Sequence, residues 1–127
     1  MQRLVVSGRR PPDLDVRPTD DTLGWDKDSA KGELSKVIGQ MAFIQHRLMA
    51  EANQSLLIIL QGRDASGKDG LVRHVMTGMN PAGVRVVNFK VPAGVERMHD
   101  YLWRVHASCP ARGEVGVWNR SHYEDIL

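Results

Sequence analysis

Cysteine is almost absent from this chain, which carries Cys109 as its single thiol among 127 residues. One thiol cannot form an intrachain disulfide, so the sequence indicates a reducing compartment, and we expect a cytoplasmic protein. Long apolar runs are also missing, since LLIIL at 56–60 is far too short to cross a bilayer. The N-terminal residues lack the extended apolar segment and small-residue cleavage site of a signal peptide, and we predict none.

A large excess of charge of either sign is absent as well. The 17 Lys and Arg residues nearly balance the 15 Asp and Glu residues, which leaves a formal net charge of +2. So mild a charge gives no reason to expect binding to nucleic acid or to a membrane surface. With 42% hydrophobic and 25% charged residues, the composition is typical of one globular domain or of part of one.

The first 28 residues are the least patterned part of the chain. They hold three of the six prolines and several Asp residues without clear periodicity, which predicts an irregular arm. A helical pattern then extends from about Ser29 to Asn53, with Ser29 as a candidate N-cap. The apolar stripe of this pattern predicts a helix packed on a core, and it consists of Leu34, Val37, Ile38, Met41, Ile44, Leu48 and Ala52.

Strand and helix patterns alternate along the rest of the chain. Segments 55–60, 84–91 and 114–119 are typical of β-strands, and the first of them, SLLIIL, is typical of a strand buried on both faces. Helical spacing occurs between them, and Ser121 and Glu124 have the spacing of a capping box that starts a further helix. Because parallel strands need crossover helices, this order predicts an α/β fold with a three-layer parallel sheet.

The segment QGRDASGKDG at 61–70 has the form of a phosphate-binding loop. Gly62 and Gly67 allow backbone conformations and a close approach that a Cβ would hinder. The N-terminus of the following helix and Lys68 both bring positive charge, and the required context of a strand before and a helix after is present. The residues that we expect to contact phosphate here are Gly62, Arg63, Ala65, Ser66, Gly67, Lys68 and Asp69.

Two acidic residues distinguish this loop from the usual pattern. Asp69 stands where P-loops carry a Ser or Thr whose hydroxyl binds Mg²⁺, and it keeps an oxygen donor at that place. Alternatively, Asp69 only interacts favourably with the positive end of the helix dipole. Asp64 lies inside the loop, where it can hold a metal ion or accept a proton from an attacking phosphate.

A second candidate group follows the third predicted strand, at the place where P-loop enzymes hold a metal-binding Asp. This chain has Asn119 there, which can coordinate through its carbonyl oxygen but cannot act as a base. Arg120 can grip phosphate with two N–H groups and stabilise charge during phosphoryl transfer, or it can form a surface ion pair. We expect Ser121 and Glu124 to serve the helix cap.

Three stretches, in this order, resemble the polyphosphate kinase 2 family: LLIILQGRDASGKDG, FKVPAGVERMHDYLWR and GVWNRSHYEDIL. The resemblance implies a thymidylate-kinase-like P-loop fold. It also implies phosphoryl transfer between inorganic polyphosphate and a nucleotide such as AMP, ADP or GDP, with Mg²⁺ or Mn²⁺. We accordingly divide the chain into an irregular arm, residues 1–28, and the N-terminal portion of a P-loop kinase domain, residues 29–127.

The resemblance also implies roles for single residues. Asp64, Lys68 and Arg120 would be catalytic, with Asp64 as the metal ligand. Lys90 and Asn119 would join the loop in binding phosphate or nucleotide, and the first predicted helix could join the interface of a homo-oligomer. From its spacing we interpret His99 as a buried core residue.

Members of this family continue beyond these motifs with a lid and closing strands. We therefore expect the chain to be an N-terminal fragment that is not active by itself. Two other functions stay open, namely a different small-molecule P-loop kinase and a non-catalytic phosphate-binding module.

Overall fold

A computed structural model of the chain describes residues 20–125, without the side chains of the last two. Most of the predicted N-terminal arm lies outside the described residues. The chain divides into two compact units, 1–32 and 33–127, and the sheet belongs to the second. The helices and strands, in chain order, are α1 Lys27–Glu51, β1 Leu56–Leu60, α2 Lys68–Val75, β2 Val84–Asn88, α3 Tyr101–Ser108 and β3 Val115–Asn119. No helix among the described residues is long and apolar enough to span a bilayer.

The three strands form one parallel sheet with β3 in the middle, in the order β1-β3-β2. Asn119 at the end of β3 lies opposite Leu60 on one side and opposite Asn88 on the other. The carboxyl ends of all three strands are therefore level. As a result, the segments that follow them meet at one edge of the sheet, where open α/β sheets bind their ligands.

Helices cover both faces of this sheet, which confirms the predicted three-layer α/β fold. On one face, Val115 and Val117 of β3 pack with residues of α1 and α2. On the other face, Trp118 packs with Phe89 and with Val105 of α3, and its ring meets that of Phe89 edge-on at 5.0 Å. The two cores use alternate residues of β3 because successive side chains of a strand point to opposite faces.

The prediction that the first strand is buried on both faces is wrong. Leu56 and Ile59 of β1 are 49% and 47% exposed, whereas all five residues of β3 are buried. The physical reason is position, since β1 is an edge strand of the described sheet and β3 has a neighbour on each side. An apolar run indicates that a strand can be buried. The order of the strands in the sheet decides whether neighbouring elements cover it.

The N-cap of α1 is Asp26 and not the predicted Ser29. The carboxylate of Asp26 accepts hydrogen bonds from the backbone N–H groups of Asp28 and Ser29, each at 3.0 Å. The helix begins at Lys27, which places Asp26 at the position where a side-chain oxygen reaches the first free N–H groups. The hydroxyl of Ser29 and these backbone donors lower the pKa of Asp26 below its ordinary value.

The apolar stripe of α1 is only partly buried. The most buried side chain of the helix belongs to a polar residue outside this stripe. Met41 and Leu48 pack on the core, but Ile44 of the same stripe is 63% exposed. Gln45 beside it is only 2% exposed. Its amide donates to the carbonyl of Asn80 at 2.8 Å and accepts from the N–H of Asn80 at 2.7 Å. Gln45 therefore joins α1 to the turn that precedes β2.

Replacement of Gln45 by leucine should lower the free energy of unfolding by about 1–3 kcal/mol, because it leaves both backbone groups of Asn80 without their partner. Urea unfolding followed by circular dichroism measures this effect. Gln40→Leu is the matched control, since Gln40 is exposed on the same helix. Equal stability of the two variants would show that the Gln45 bridge contributes nothing.

Candidate active site

The loop between β1 and α2 has the backbone shape that an anion site requires. Gly67 precedes the first residue of α2 with φ of 89°, and Ala65 also has a left-handed φ of 62°. No side chain caps α2, so its first N–H groups remain available to a ligand. A Cβ at Gly62 would lie 2.9 Å from the hydroxyl of Ser66, so a larger residue there would require this hydroxyl to move.

Lys68 reaches back across this loop. Its ammonium donates to the backbone carbonyls of Gly62 at 2.7 Å and of Arg63 at 2.8 Å. The charge is thereby held beside a cavity of about 240 Å³, lined by residues 64–70 together with Asn119 and Arg120. The loop and the end of β3 thus meet at this cavity.

Asp64 and Arg120 form an ion pair across this cavity, with 2.5 Å between the guanidinium and the carboxylate. The Asp64 side chain is 85% exposed, and an ion pair so exposed stabilises a protein by about 0–1 kcal/mol. A phosphate can therefore displace it at little cost. Arg120 also has a left-handed φ of 70°, a strained conformation that turns the chain at the end of β3. Arg120 does form an ion pair at the surface, as the alternative interpretation predicted. Its partner Asp64, however, is itself a candidate site residue.

A second polar group connects the start of α2 to the ends of two strands. The amide nitrogen of Asn119 donates to the carboxylate of Asp69 at 2.5 Å and to the side-chain oxygen of Asn88 at 2.9 Å. The Asp69 carboxylate fixes the orientation of the amide, because it accepts from the Asn119 nitrogen and would repel the Asn119 oxygen. The oxygen of Asn119 is buried and has no hydrogen-bond partner among the described residues. Asp69 thus does more than face the helix dipole.

A larger cavity of about 500 Å³ adjoins the loop on the side of β2. Its lining shares Asp69, Asn119 and Arg120 with the smaller cavity and adds residues 88–91. Lys90 is exposed in this wall, and its backbone carbonyl accepts a hydrogen bond from Arg104 at 2.6 Å. The structure therefore brings Lys90 to the candidate site. The side chain of Arg63, in contrast, lines neither of these two cavities.

Sequence reasoning missed one contributor to this site, Asn88. It ends β2, so the rule that ligands bind at the carboxyl ends of parallel strands would have found it. Ser121 is 1% exposed, donates to Gln61 at 3.0 Å and accepts from the N–H of Tyr123 at 3.2 Å. It therefore caps the next turn as predicted, while the side chain of Glu124 lies outside the described residues.

The interpretation of His99 as a core residue is wrong. His99 is exposed and stacks on Trp103, with 4.3 Å between ring centroids. Its helical spacing is interrupted, because 94–98 forms a 3₁₀ turn and α3 begins only at Tyr101. A periodic pattern that crosses such a break no longer marks one buried face.

The residues of this site fit a hydrated divalent cation better than a cage made by protein alone. Among the described residues, no three His, Cys, Asp or Glu side chains are grouped to hold a metal ion. Mg²⁺ commonly uses one or two carboxylates, keeps several waters and completes its shell with substrate phosphates. Asp64, Asp69 and Asn119 all line the smaller cavity, so its wall offers two carboxylates beside the place where phosphate oxygens would complete the shell.

Comparison with known proteins gives consistent matches. A profile of the family described as Polyphosphate kinase 2 (PPK2) matches residues 24–127. An AMP/ADP-polyphosphate phosphotransferase of Meiothermus ruber is 46% identical over 110 residues, which cover 85% of this chain and 41% of that protein. An ADP-polyphosphate phosphotransferase of Rhodopseudomonas palustris is 44% identical over 90 residues, which cover 71% of this chain and 31% of that protein.

The fold is similar to that of a solved structure as well. The crystal structure of Polyphosphate Kinase 2 from Arthrobacter aurescens TC1 superimposes with a TM-score of 0.85 at 40% sequence identity. The match covers 97% of this chain and 44% of that one. The chain thus spans less than half the length of the relatives that it matches.

Proposed function

This chain belongs to the polyphosphate kinase 2 family, and we propose on that premise that it takes part in transfer of a phosphoryl group between inorganic polyphosphate and a nucleoside mono- or diphosphate. AMP, ADP and GDP are the acceptors that we consider. One observation carries the proposal: Lys68, Asp64, Asp69 and Arg120 converge on a single cavity beside the loop. We assign the reaction to a cytoplasmic enzyme, with residues 29–127 as part of its kinase domain and a homo-oligomer as its assembly.

The loop and Lys68 bind the phosphate that is transferred. The N–H groups at the start of α2 and the Lys68 ammonium contact phosphate oxygens, and they neutralise part of the charge on the ligand. The carbonyls of Gly62 and Arg63 accept hydrogen bonds from this ammonium and hold it beside the smaller cavity. Positioning of this kind supplies most of the catalysis in phosphoryl transfer.

Arg120 stabilises the charge that develops on the phosphoryl group. When phosphate enters, the guanidinium exchanges the carboxylate of Asp64 for phosphate oxygens, which it can contact with two N–H groups at once. The exchange leaves Asp64 free to act as a ligand of Mg²⁺ or Mn²⁺. Such an ion, when bound, spreads the negative charge of the phosphate oxygens over the site.

The two adjoining cavities support a reaction between two phosphate-bearing substrates. In-line transfer needs donor and acceptor on opposite sides of the moving phosphoryl group. Asp69, Asn119 and Arg120 form a wall common to both cavities, and Lys90 adds positive charge on the side away from the loop. We propose that polyphosphate and nucleotide occupy the two cavities and meet at this wall.

The test is polyphosphate-dependent phosphorylation of AMP, ADP and GDP with Mg²⁺. It compares this chain with a chimera in which the chain continues into the remaining segment of the Arthrobacter aurescens relative. We expect activity in the chimera and little in the chain alone, because its relatives are more than twice as long as their matched segments. An inactive, folded chimera that still binds tripolyphosphate would indicate a non-catalytic module. Activity with ATP and none with polyphosphate would indicate a different P-loop kinase.

A further inference from the structure

Arg104 of α3 is a buried cation that has no part in the reaction described above. Its side chain is only 8% exposed, and a buried charge is costly unless an opposite charge and hydrogen bonds compensate it. The guanidinium donates to the backbone carbonyl of Lys90 at 2.6 Å and lies 3.5 Å from the carboxylate of Glu96. It also lies over the ring of Phe89, 5.3 Å from the centroid. One side chain of α3 therefore holds both ends of the segment 90–96.

The contact between Arg104 and Lys90 fixes the backbone from which the Lys90 side chain starts. On the N-terminal side, the N–H of Phe89 donates to the carbonyl of Asn119 at 3.0 Å, which ties the chain to the sheet. On the C-terminal side, the carbonyl of Lys90 is held by Arg104. The backbone of Lys90 thus lies between one anchor on β3 and one on α3. Lys90 itself is exposed and lines the larger cavity, which Arg120 also lines.

We propose that Arg104 is a positioning residue for Lys90, and that it holds the Lys90 ammonium at the larger cavity, where the ammonium contacts phosphate oxygens of the ligand. The inference rests on the proposed function, in which this cavity holds polyphosphate or a nucleotide. Both ligands carry a chain of phosphate groups, and an ammonium can donate to either. A fixed backbone lowers the conformational entropy that a long side chain loses when it binds. Loss of Arg104 should therefore weaken binding through Lys90.

The neighbouring Arg97 provides an internal comparison. It is exposed, and its guanidinium donates to the backbone carbonyl of Pro92 at 3.0 Å. Arg97 thus contacts the same segment as Arg104 through the same kind of hydrogen bond, but two residues further along than Lys90. An arginine that only stabilises this segment would act equally well from either place, whereas positioning of Lys90 requires Arg104.

The test is a double-mutant cycle on the full chain. Arg104→Met removes the charge and the donor but keeps an apolar side chain of similar length beside Phe89. Lys90→Ala removes the ammonium, and Arg97→Met is the matched control. Isothermal titration with ADP and with tripolyphosphate measures the affinity of each variant for the two ligands. Circular dichroism checks that each variant is folded.

Two further variants make the cycle decisive. Arg104→Lys keeps an ammonium that can donate to the carbonyl of Lys90. Glu96→Gln takes the place of Arg104→Met if that variant does not fold. It removes the carboxylate that faces Arg104, while its amide oxygen can still accept the hydrogen bond from the N–H of Ala93.

We expect Lys90→Ala to weaken binding of one of the two ligands by about tenfold, the size of one hydrogen bond to a charged group. Arg104→Met should weaken binding of the same ligand by about fivefold or more, but by less than about twofold in the Lys90→Ala background, because residues that act through one contact are non-additive. Glu96→Gln should cost about threefold, as a partly exposed ion pair does. Arg104→Lys and Arg97→Met should stay within about twofold of the unaltered chain.

Four results would overturn the inference: no binding of either ligand to the unaltered chain, unchanged affinity in Arg104→Met, equal losses in Arg104→Met and Arg97→Met, or a loss in Arg104→Met that adds fully to that of Lys90→Ala. The same criteria apply to Glu96→Gln where it takes the place of Arg104→Met. None of these measurements needs turnover. Failure of the proposed function is seen separately, as the absence of polyphosphate-dependent transfer in the folded chimera, so the two failures are distinguishable.

Discussion

Replacement of Lys68 by alanine should reduce polyphosphate-dependent transfer in the active chimera by about 10²–10³-fold, the usual cost of removing one group that stabilises transition-state charge. Lys68 is the one residue that both opens α2 and spans the loop, where it contacts two backbone carbonyls. In the proposed function this ammonium contacts the transferred phosphate. The loss should appear mainly in kcat, because charge develops most in the transition state.

Lys36→Ala is the control for this measurement. Lys36 lies on α1 in an exposed ion pair with Glu33, and its side chain is 75% exposed. The substitution removes the same charge from the protein and leaves the loop unchanged. The activity of this variant should therefore match that of the unaltered chimera. Isothermal titration with tripolyphosphate adds a second readout. If Lys68→Ala kept full turnover and full affinity for tripolyphosphate, the assignment of the loop as the phosphate site would be wrong.

Replacement of Arg120 by alanine should have an effect of similar or larger size, a loss of about 10³-fold in kcat, which is the lower end for an arginine that stabilises a phosphoryl transition state. Arg120→Lys should recover only a small part of this loss, because lysine keeps the charge but cannot make two parallel N–H contacts. Steady-state kinetics with polyphosphate and ADP measures both variants. The split between kcat and KM shows whether the arginine acts in the transition state or in binding.

Two features make the Arg120 experiment interpretable. Arg47→Ala is the control, because Arg47 pairs with Glu51 on the exposed side of α1. Arg120→Lys, in addition, keeps a cation that can pair with Asp64 and so separates the ion pair from bidentate contact with phosphate. If Arg120→Lys kept the full kcat of the unaltered chimera, the proposed role of the guanidinium in charge stabilisation would have to be abandoned.

Much of the fold follows from local pattern. The alternation of strands and helices predicted a parallel α/β sheet, and the loop at 61–70 was found from its glycines, its lysine and its place between a strand and a helix. These features depend on residues that are close in sequence, so one amino-acid sequence is enough to predict them. The ends of the elements were less exact, because helix termini depend on which side chain reaches the first N–H groups, as Asp26 does for α1.

The pairing of the site residues was beyond sequence reasoning. Asp69 and Asn119 are 50 residues apart, and Asp64 and Arg120 are 56 apart. Each of the four residues was a candidate on its own. Which acid faces the arginine and which faces the amide depends on how α2 and the loop sit against the end of β3.

The sequence by itself determined that this protein has a parallel α/β sheet and a glycine-rich loop with the form of a phosphate-binding loop, because hydrophobic period and turn chemistry are properties of short segments. Only the tertiary structure decided that β3 is the central strand, that Gln45 and not the apolar Ile44 is the buried side chain of α1, and that an amide–carboxylate pair joins the loop to the sheet. The physical reason is that burial and pairing are set by strand order and helix placement. Both are long-range properties, and the local sequence around a residue does not indicate which distant residue it will contact.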